Sequence, residues 1–200
     1  MANIELTMQN LTKRGYLVSR FPNKSAAVAH LLARVGTQSV GLGGSVTLEQ
    51  MGLYEALTAR GETHAHAHQK NPDAKKRACA SEVYCMSANG VSESGQIINI
   101  DGFGNRVAAM CYGPEKLFIV IGINKIAPND EMALWRARNI ASVKNCQRIG
   151  KKTPCATSET PKCFDCDSPE RICRIFLTLE CKPTGIPEVE VVIIDEALGY

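Results

Sequence analysis

The chain has 200 residues, of which 44% are hydrophobic and 22% are charged, and its 23 basic and 20 acidic residues give a net charge of +3. This composition is typical of an ordered globular protein with one sizeable core and excludes a disordered chain. The near-neutral charge and the scattered aromatic residues argue against nucleic-acid binding, and no apolar run has the length of a membrane span.

The first residues, Met-Ala-Asn-Ile-Glu-Leu, have neither the basic start nor the apolar stretch of a signal peptide, so we expect a cytoplasmic protein. In a reducing compartment the nine cysteines are expected to be thiols or metal ligands rather than disulfides. We expect no contact with a membrane or with nucleic acid.

The hydrophobic pattern alternates between helical and extended periods along the chain. The apolar run Leu117–Gly122 is typical of a strand that is covered on both faces, as in a central parallel sheet. The fold class is therefore α/β with a mostly parallel sheet. The pattern predicts helices at 3–14, 23–35, 46–60, 71–80 and 129–141, and strands at 16–18, 38–42, 83–87, 96–100, 117–122, 174–179 and 189–194.

A glycine-rich turn, Gly41–Thr47, joins the second predicted strand to the helix that follows it. Glycines allow positive backbone φ values and close approach of a ligand, and Ser45 or Thr47 can cap the helix. Such a turn can bind a phosphate or carboxylate with its amides, although a simple strand-to-helix connection has the same pattern.

Three histidines alternate with alanines in the stretch Thr63–His68. If this stretch is a strand, His64, His66 and His68 lie on one face about 6.6 Å apart and could hold a metal ion. A polar strand end that faces solvent explains the same pattern. The role of these histidines stays open.

Four motifs occur in order along the chain, and together they resemble the LUD domain family, which is named for lactate utilisation. The resemblance covers nearly the whole chain, from about residue 8 to residue 200, so we expect residues 1–200 to form a single LUD domain. The motifs are Gly-Gly-Ser-Val-Thr-Leu-Glu-Gln-Met-Gly-Leu (43–53), Ser-Ala-Asn through Glu-Ser-Gly (87–95), Asp-Gly-Phe-Gly-Asn-Arg-Val-Ala (101–108) and Gly-Ile-Asn-Lys-Ile (122–126).

The resemblance implies a three-layer α/β/α fold like that of ribose-5-phosphate isomerase, glucosamine-6-phosphate deaminase and the CoA transferases. In those proteins a glycine-rich loop after a strand holds phosphate or CoA. Some LUD proteins are encoded in operons for lactate oxidation beside iron–sulfur proteins. The resemblance thus implies a small anionic metabolite bound at Gly41–Thr47, and it leaves catalysis open.

The motifs lie at strand ends, where ligands bind in open α/β sheets, so we expect them to meet in one cleft. Glu49 and Asp101 are candidate acid–base groups, and Lys125 is a candidate catalytic cation. Capping and helix-dipole interactions explain the same carboxylates without catalysis. The other candidate ligand-binding residues are Gly43, Gly44, Ser45, Thr47, Ser87, Asn89, Gly104, Asn105, Arg106 and Asn124.

A second candidate site is the Cys-rich segment, residues 146–173, which we predict to be an irregular insert within the domain. Its cysteines follow the pattern Cys155-x7-Cys163-x2-Cys166-x6-Cys173 in a loop that contains prolines, whereas packed cysteines occupy apolar helices or strands. The pattern indicates zinc or an iron–sulfur cluster, or else plain or redox-active thiols, but it matches neither zinc-ribbon nor ferredoxin spacing.

Three functions follow from these features. The first is a small-anion-binding protein of organic-acid or sugar-acid metabolism. The second is an accessory or electron-transfer protein that carries a metal or cluster and meets a redox partner. The third is a non-enzymatic partner subunit, and a homodimer is one expected assembly.

Overall fold

In the computed structural model, which describes residues 2–200, helices and strands alternate along most of the chain. A 3₁₀ turn (Ile123–Lys125) and a π-helical segment (Ala137–Ala141) interrupt the regular elements. The helices are α1 (Ile4–Lys13), α2 (Lys24–Val35), α3 (Val46–Gln50), α4 (Leu53–Thr58), α5 (Ala74–Cys79), α6 (Asn105–Cys111), α7 (Asp130–Arg136), α8 (Ser142–Arg148) and α9 (Pro154–Thr157). The strands are β1 (Leu17–Phe21), β2 (Val40–Leu42), β3 (Thr63–Ala65), β4 (Val83–Met86), β5 (Gly90–Ser92), β6 (Ile97–Asp101), β7 (Lys116–Gly122), β8 (Ile126–Ala127), β9 (Ile175–Leu179) and β10 (Glu188–Ile194).

The main sheet has six strands in the order β1-β10-β7-β4-β2-β3, and every neighbouring pair is parallel. Parallel strands present their carboxyl ends at one edge of the sheet, so the connections that follow β2, β4 and β7 meet there. The predicted α/β class with a mostly parallel sheet is confirmed.

Both faces of the main sheet are buried, as the apolar run in β7 predicted. Leu117, Ile119 and Ile121 pack in one hydrophobic cluster with residues of α1 and α6, whereas Phe118 and Val120 pack in a second cluster with residues of α2, α3 and α4. Alternate side chains of a strand point to opposite faces, so a strand buried on both sides must be apolar throughout.

A second sheet covers part of one face of the main sheet and was not predicted. Its four strands run in the order β8-β5-β6-β9, and the pairs β5–β6 and β6–β9 are antiparallel. Its strand β5 lies between the strands predicted at 83–87 and 96–100, where no strand was predicted. Strands of two or three residues, such as β8 and β5, are too short to produce a recognisable alternation.

Two predicted helices differ from those in the structure. The helix predicted at 46–60 is two helices, because Gly52 adopts the left-handed conformation with φ 64° between them. The helix predicted at 129–141 continues through the π-helical segment to Arg148. The irregular part of the Cys-rich segment therefore begins later than predicted, and Cys146 lies on α8.

None of the helices in residues 2–200 is long and apolar enough to cross a membrane.

Gly41 allows β2 to pack closely against the end of α5. A Cβ at this position would lie 2.0 Å from the carbonyl oxygen of Ala78, which is a backbone atom. We expect Gly41→Ala to lower the free energy of unfolding in urea by about 2 kcal/mol or more, as other overpacked sites do. Gly61→Ala is the control, because a Cβ there would meet nothing within 4 Å. Equal stability of the two variants would contradict this account.

Candidate functional site

The connections after three adjacent parallel strands meet at the side chain of Lys125. Its ammonium group donates hydrogen bonds to Thr47 Oγ1 (2.9 Å), Ser87 Oγ (2.8 Å) and the Ala88 carbonyl (3.1 Å). Thr47 follows β2, and Ser87 and Ala88 follow β4 directly. Lys125 therefore ties together the loops that we expected to form one cleft.

Lys125 is buried, with 4% of its surface exposed, and all three of its acceptors are uncharged. Burial, followed by the positive charges of Arg136 and Arg106, lowers the pKa of Lys125 to about 7. A buried ammonium without an anionic partner is unfavourable, so this position favours either a neutral amine or a bound anion.

Arg106 and Asp101 form the next part of the site. Asp101 Oδ1 accepts the Phe103 amide at 3.1 Å, and Oδ2 accepts the Arg106 amide at 3.1 Å and lies 3.5 Å from Arg106 Nε. The Arg106 guanidinium also donates to the Ile100 carbonyl at 2.7 Å. Asp101 thus holds the turn into α6 and fixes Arg106, which is the capping role that the sequence left open.

Lys125 lines a small inner chamber of about 50 Å³. Several predicted ligand-binding residues share it, namely Gly44, Ser45, Thr47, Ser87, Asn89 and Arg106. A wider outer cleft of about 520 Å³ lies next to the chamber, and Gly44, Arg106 and Ile172 line both. The two spaces are therefore adjacent.

The outer cleft is strongly basic. Its two acidic side chains are Asp101 and Glu170, and one histidine, His66, also faces it. Burial and the charges of Lys75 and Arg106 lower the pKa of His66, which favours its neutral form. Clustered positive charge in a concave surface attracts anions. The cations that line the cleft are Lys75, Arg106, Arg148, Lys151, Arg171 and Arg174.

Several residues of this site were missed by the sequence analysis. Arg148 and Asn145 lie on α8, beyond the end of the helix predicted at 129–141, and Ile172 comes from the Cys-rich segment. Arg136 is buried on α7 and donates to the carbonyls of Asn89 and Tyr200. Val143 and Cys146, both buried and three residues apart on α8, are the signal that could have extended the helix.

Other predicted residues lie outside the inner chamber. Glu49 is exposed on α3 and faces a separate small pocket beside Tyr54. Asn124 accepts the Leu198 amide at 3.1 Å and so holds the end of the chain. Gly104 precedes α6 with φ 101°, and Asn105 lines the outer cleft.

The glycines of the turn act through close contacts rather than through positive φ values, which occur at none of Gly41, Gly43 and Gly44. A Cβ at Gly43 would lie 3.0 Å from Arg106 Cγ, and a Cβ at Gly44 would lie 3.2 Å from His66. A side chain at either position would require Arg106 or His66 to shift by a few tenths of an ångström. The expectation of positive φ values at these glycines was wrong.

The three histidines do not form a single face, because the strand predicted at 63–68 ends at Ala65. His64 lies 2.9 Å from Glu62, His66 faces the outer cleft, and His68 stacks on Tyr54 with ring centroids 4.0 Å apart. The alternation of histidine and alanine continues beyond β3 into a turn, where alternate residues do not share a face.

The cysteines of the predicted metal site, Cys155, Cys163, Cys166 and Cys173, line one small pocket together with Cys146. All five are free thiols. As placed, no three His, Cys, Asp or Glu side chains within residues 2–200 form a ready metal-binding group. The metal therefore stays a prediction.

The parallel sheet and the basic cleft at its carboxyl edge define an α/β protein with a candidate anion site. The chain belongs to the LUD domain family, whose match spans residues 4–194. This confirms the resemblance that the sequence motifs indicated. No curated protein sequence matches the chain.

A solved structure supports the fold. The crystal structure of a DUF162 family protein from Deinococcus radiodurans is similar to this chain with a TM-score of 0.57 and 9% sequence identity. The similarity covers 96% of this chain and 95% of that one. DUF162 is the older name of the LUD domain. At this identity the similarity shows the shared fold.

The role of Asp101 as a backbone cap can be tested by Asp101→Asn. The Asn side chain has no charge, and its NH2 group can face the backbone N–H of Phe103 or Arg106, which is also a donor. We therefore expect about 1–2 kcal/mol less stability in urea unfolding. Glu49→Gln, at an exposed helical position, is expected to leave stability unchanged within about 0.5 kcal/mol. Wild-type stability of Asp101→Asn would refute the capping role.

Lys125 is expected to make stability depend on pH. Its pKa is about 7 in the folded chain against 10.5 for an unperturbed lysine, so above pH 7 the unfolded chain binds more protons and stability rises with pH. Relative to Lys125→Met, the wild type should gain about 1–2 kcal/mol between pH 7 and pH 9 in urea unfolding. Lys13→Met, at an exposed lysine, is the control. Parallel pH profiles for wild type and Lys125→Met would contradict the low pKa.

Proposed function

We propose that the inner chamber and the outer cleft bind one extended anionic metabolite of organic-acid metabolism. In this proposal a carboxylate or acyl group occupies the inner chamber near Lys125, and phosphate groups of a CoA-type or phosphorylated ligand occupy the outer cleft. The observation that carries the proposal is the buried Lys125 ammonium, which has three neutral acceptors and no anionic partner.

The electrostatics support an anionic head group at Lys125. Arg106 and Arg136 are the positive neighbours that depress its pKa, and Asp101 is occupied with backbone amides and Arg106. A carboxylate or phosphate near the chamber would offset this concentration of positive charge and raise the pKa of Lys125. Binding of the anion would thus be coupled to protonation of the lysine.

The sizes of the two spaces support an extended ligand. The inner chamber of about 50 Å³ has room for a few water-sized groups, which suits a carboxylate or a short acyl chain. The outer cleft of about 520 Å³ is large enough for a substantial ligand and has six cations for phosphate oxygens. Inorganic phosphate or lactate would fill only part of this volume.

Lys125 is also the best candidate for proton transfer if the bound ligand reacts. A lysine with a pKa near 7 can both accept and donate a proton at neutral pH. Asp101 has both carboxylate oxygens engaged in structural contacts, and Glu49 lies outside the chamber. The proposed binding site does not require turnover, and a non-enzymatic subunit could use the same cleft.

The proposal is tested by calorimetric titration with CoA, acetyl-CoA, L-lactate and inorganic phosphate. We expect a CoA-type probe to bind more tightly than lactate or phosphate, because it contacts both spaces. Arg148→Ala should weaken CoA binding about tenfold, the equivalent of one charge-assisted hydrogen bond. Lys125→Met should weaken binding of acetyl-CoA and lactate, and binding should also weaken as pH rises through 7.

Lys13→Ala is the control, because Lys13 is an exposed cation on α1 and lines neither space. It should leave all affinities unchanged. Absence of binding for every probe, or equal losses in Lys13→Ala and Arg148→Ala, would reject the proposed site.

A further inference from the structure

The cysteine pocket lies between the α8 helix and the irregular loop that precedes β9. Five thiols line it, one from the helix (Cys146) and four from the residues that follow the helix. The rest of its wall is Ser142, Val143, Phe164, Phe176, the acidic residue Asp165 and two arginines, Arg138 and Arg171. The loop brings together cysteines that are up to eighteen positions apart, from Cys155 to Cys173.

The backbone around the thiols is held by specific polar contacts. Arg171 donates to the carbonyls of Cys166 (2.7 Å) and Cys173 (3.1 Å), and the Cys163 amide donates to Asn139 Oδ1 at 3.1 Å. Asn139 belongs to the π-helical segment, a feature frequent at functional sites. These contacts turn the three cysteines toward one region although residues 158–174 contain neither helix nor strand.

The backbone between Cys163 and Cys166 is strained. Asp165 has φ 47°, and it is the one non-glycine residue in 2–200 with a positive φ. Such a conformation costs about 1 kcal/mol or more and persists where the surroundings enforce it. Here it folds the Cys-x-x-Cys turn tightly, and Arg138 lies 3.3 Å from the Asp165 carboxylate. If the cysteines only packed as small apolar residues, nothing would explain the strain at this turn.

The charges at the pocket suit a metal bound by thiolates. Four thiolates around one divalent ion leave a net charge of about −2, which needs cations nearby. Arg138 and Arg171 line the pocket, and Arg138 Nε is buried without a hydrogen-bond partner in residues 2–200. Thiolate sulfur is an acceptor for such a donor.

We propose that Cys155, Cys163, Cys166 and Cys173 bind one zinc ion and that Cys146 packs beneath it as a thiol. The pocket volume of about 20 Å³ has room for one ion. Sulfur ligands in a tetrahedral site select zinc among abundant divalent ions. As placed, the thiols form no ready metal-binding group, so the side chains and the loop would close on the ion, and metal binding would supply the free energy for that ordering.

Zinc at this position would fix one wall of the outer cleft. Residues 169–172 lie between Cys166 and Cys173, and Pro169, Arg171 and Ile172 line the cleft. The Arg174 amide also donates to the Asp101 carbonyl at 3.0 Å. The zinc site therefore has a structural role, which differs from the electron-transfer function that a cluster would supply, because zinc has no redox chemistry.

The test begins with anaerobic purification under reducing conditions, followed by elemental analysis for zinc, iron and acid-labile sulfide. We expect about one zinc per chain and at least a tenfold loss of zinc in Cys163→Ser/Cys166→Ser. Cys181→Ser is the matched control, because Cys181 is exposed and does not line the pocket. It should keep the wild-type zinc content.

A second measurement uses the wild type and does not depend on a folded variant. The reduced protein is first treated with a chelator to remove metal. Addition of zinc chloride should then slow trypsin cleavage after Lys162, an exposed residue beside Cys163, at least fivefold relative to the metal-free protein. Iron with sulfide in near-stoichiometric amounts would overturn the zinc assignment in favour of a cluster. Absence of zinc together with zinc-independent cleavage would overturn the metal site.

Discussion

The site depends on one interaction, the burial of the Lys125 ammonium among three neutral acceptors at the carboxyl ends of β2, β4 and β7. Its hydrogen bonds reach Thr47, Ser87 and Ala88, so a single side chain joins three connections that are separate in sequence. The six-stranded parallel order brings these strands side by side, and without it the three loops would not meet. The cost of burying the charge lowers the pKa of Lys125 to about 7.

The rest of the cleft increases the positive potential around Lys125. Arg136 is buried with its pKa lowered to about 10 by desolvation, and it reaches Asn89 and the end of the chain rather than a carboxylate. Arg106 shares Asp101 with three backbone amides, those of Phe103, Arg106 and Val107, so its charge is only partly offset. Two buried or half-buried arginines lie close to a buried lysine, and a bound anion would reduce the repulsion among these three positive charges.

The sequence predicted the class of the fold better than the composition of the site. Continuous apolar strands such as β7 were predicted correctly, because a strand that is buried on both faces must be apolar throughout. The motifs around Gly43, Ser87, Arg106 and Lys125 lie at the expected strand ends. The second sheet could not be read, since β5 and β8 have three and two residues. Arg148 and Asn145 were missed because α8 follows directly on a π-helical segment, Ala137–Ala141. This segment shifts the spacing of buried positions relative to a regular helix. Glu49 looked suitable by residue type, but only the three-dimensional direction of α3 shows that it points elsewhere.

The outer cleft and the cysteine pocket share a wall, because Arg171 lines both. Ile172 lines the inner chamber, and the carbonyl of Ile172 would lie 2.7 Å from a Cβ at Gly102, so the segment packs directly on the turn that Asp101 caps. That turn positions Arg106, which faces both spaces. A loop of this length without regular structure would lose much entropy on ordering, and the proposed zinc ion would offset that loss. Ligand affinity in the cleft and order in the Cys-rich segment should therefore be thermodynamically linked, because each stabilises the same arrangement of residues 101–106 and 169–174.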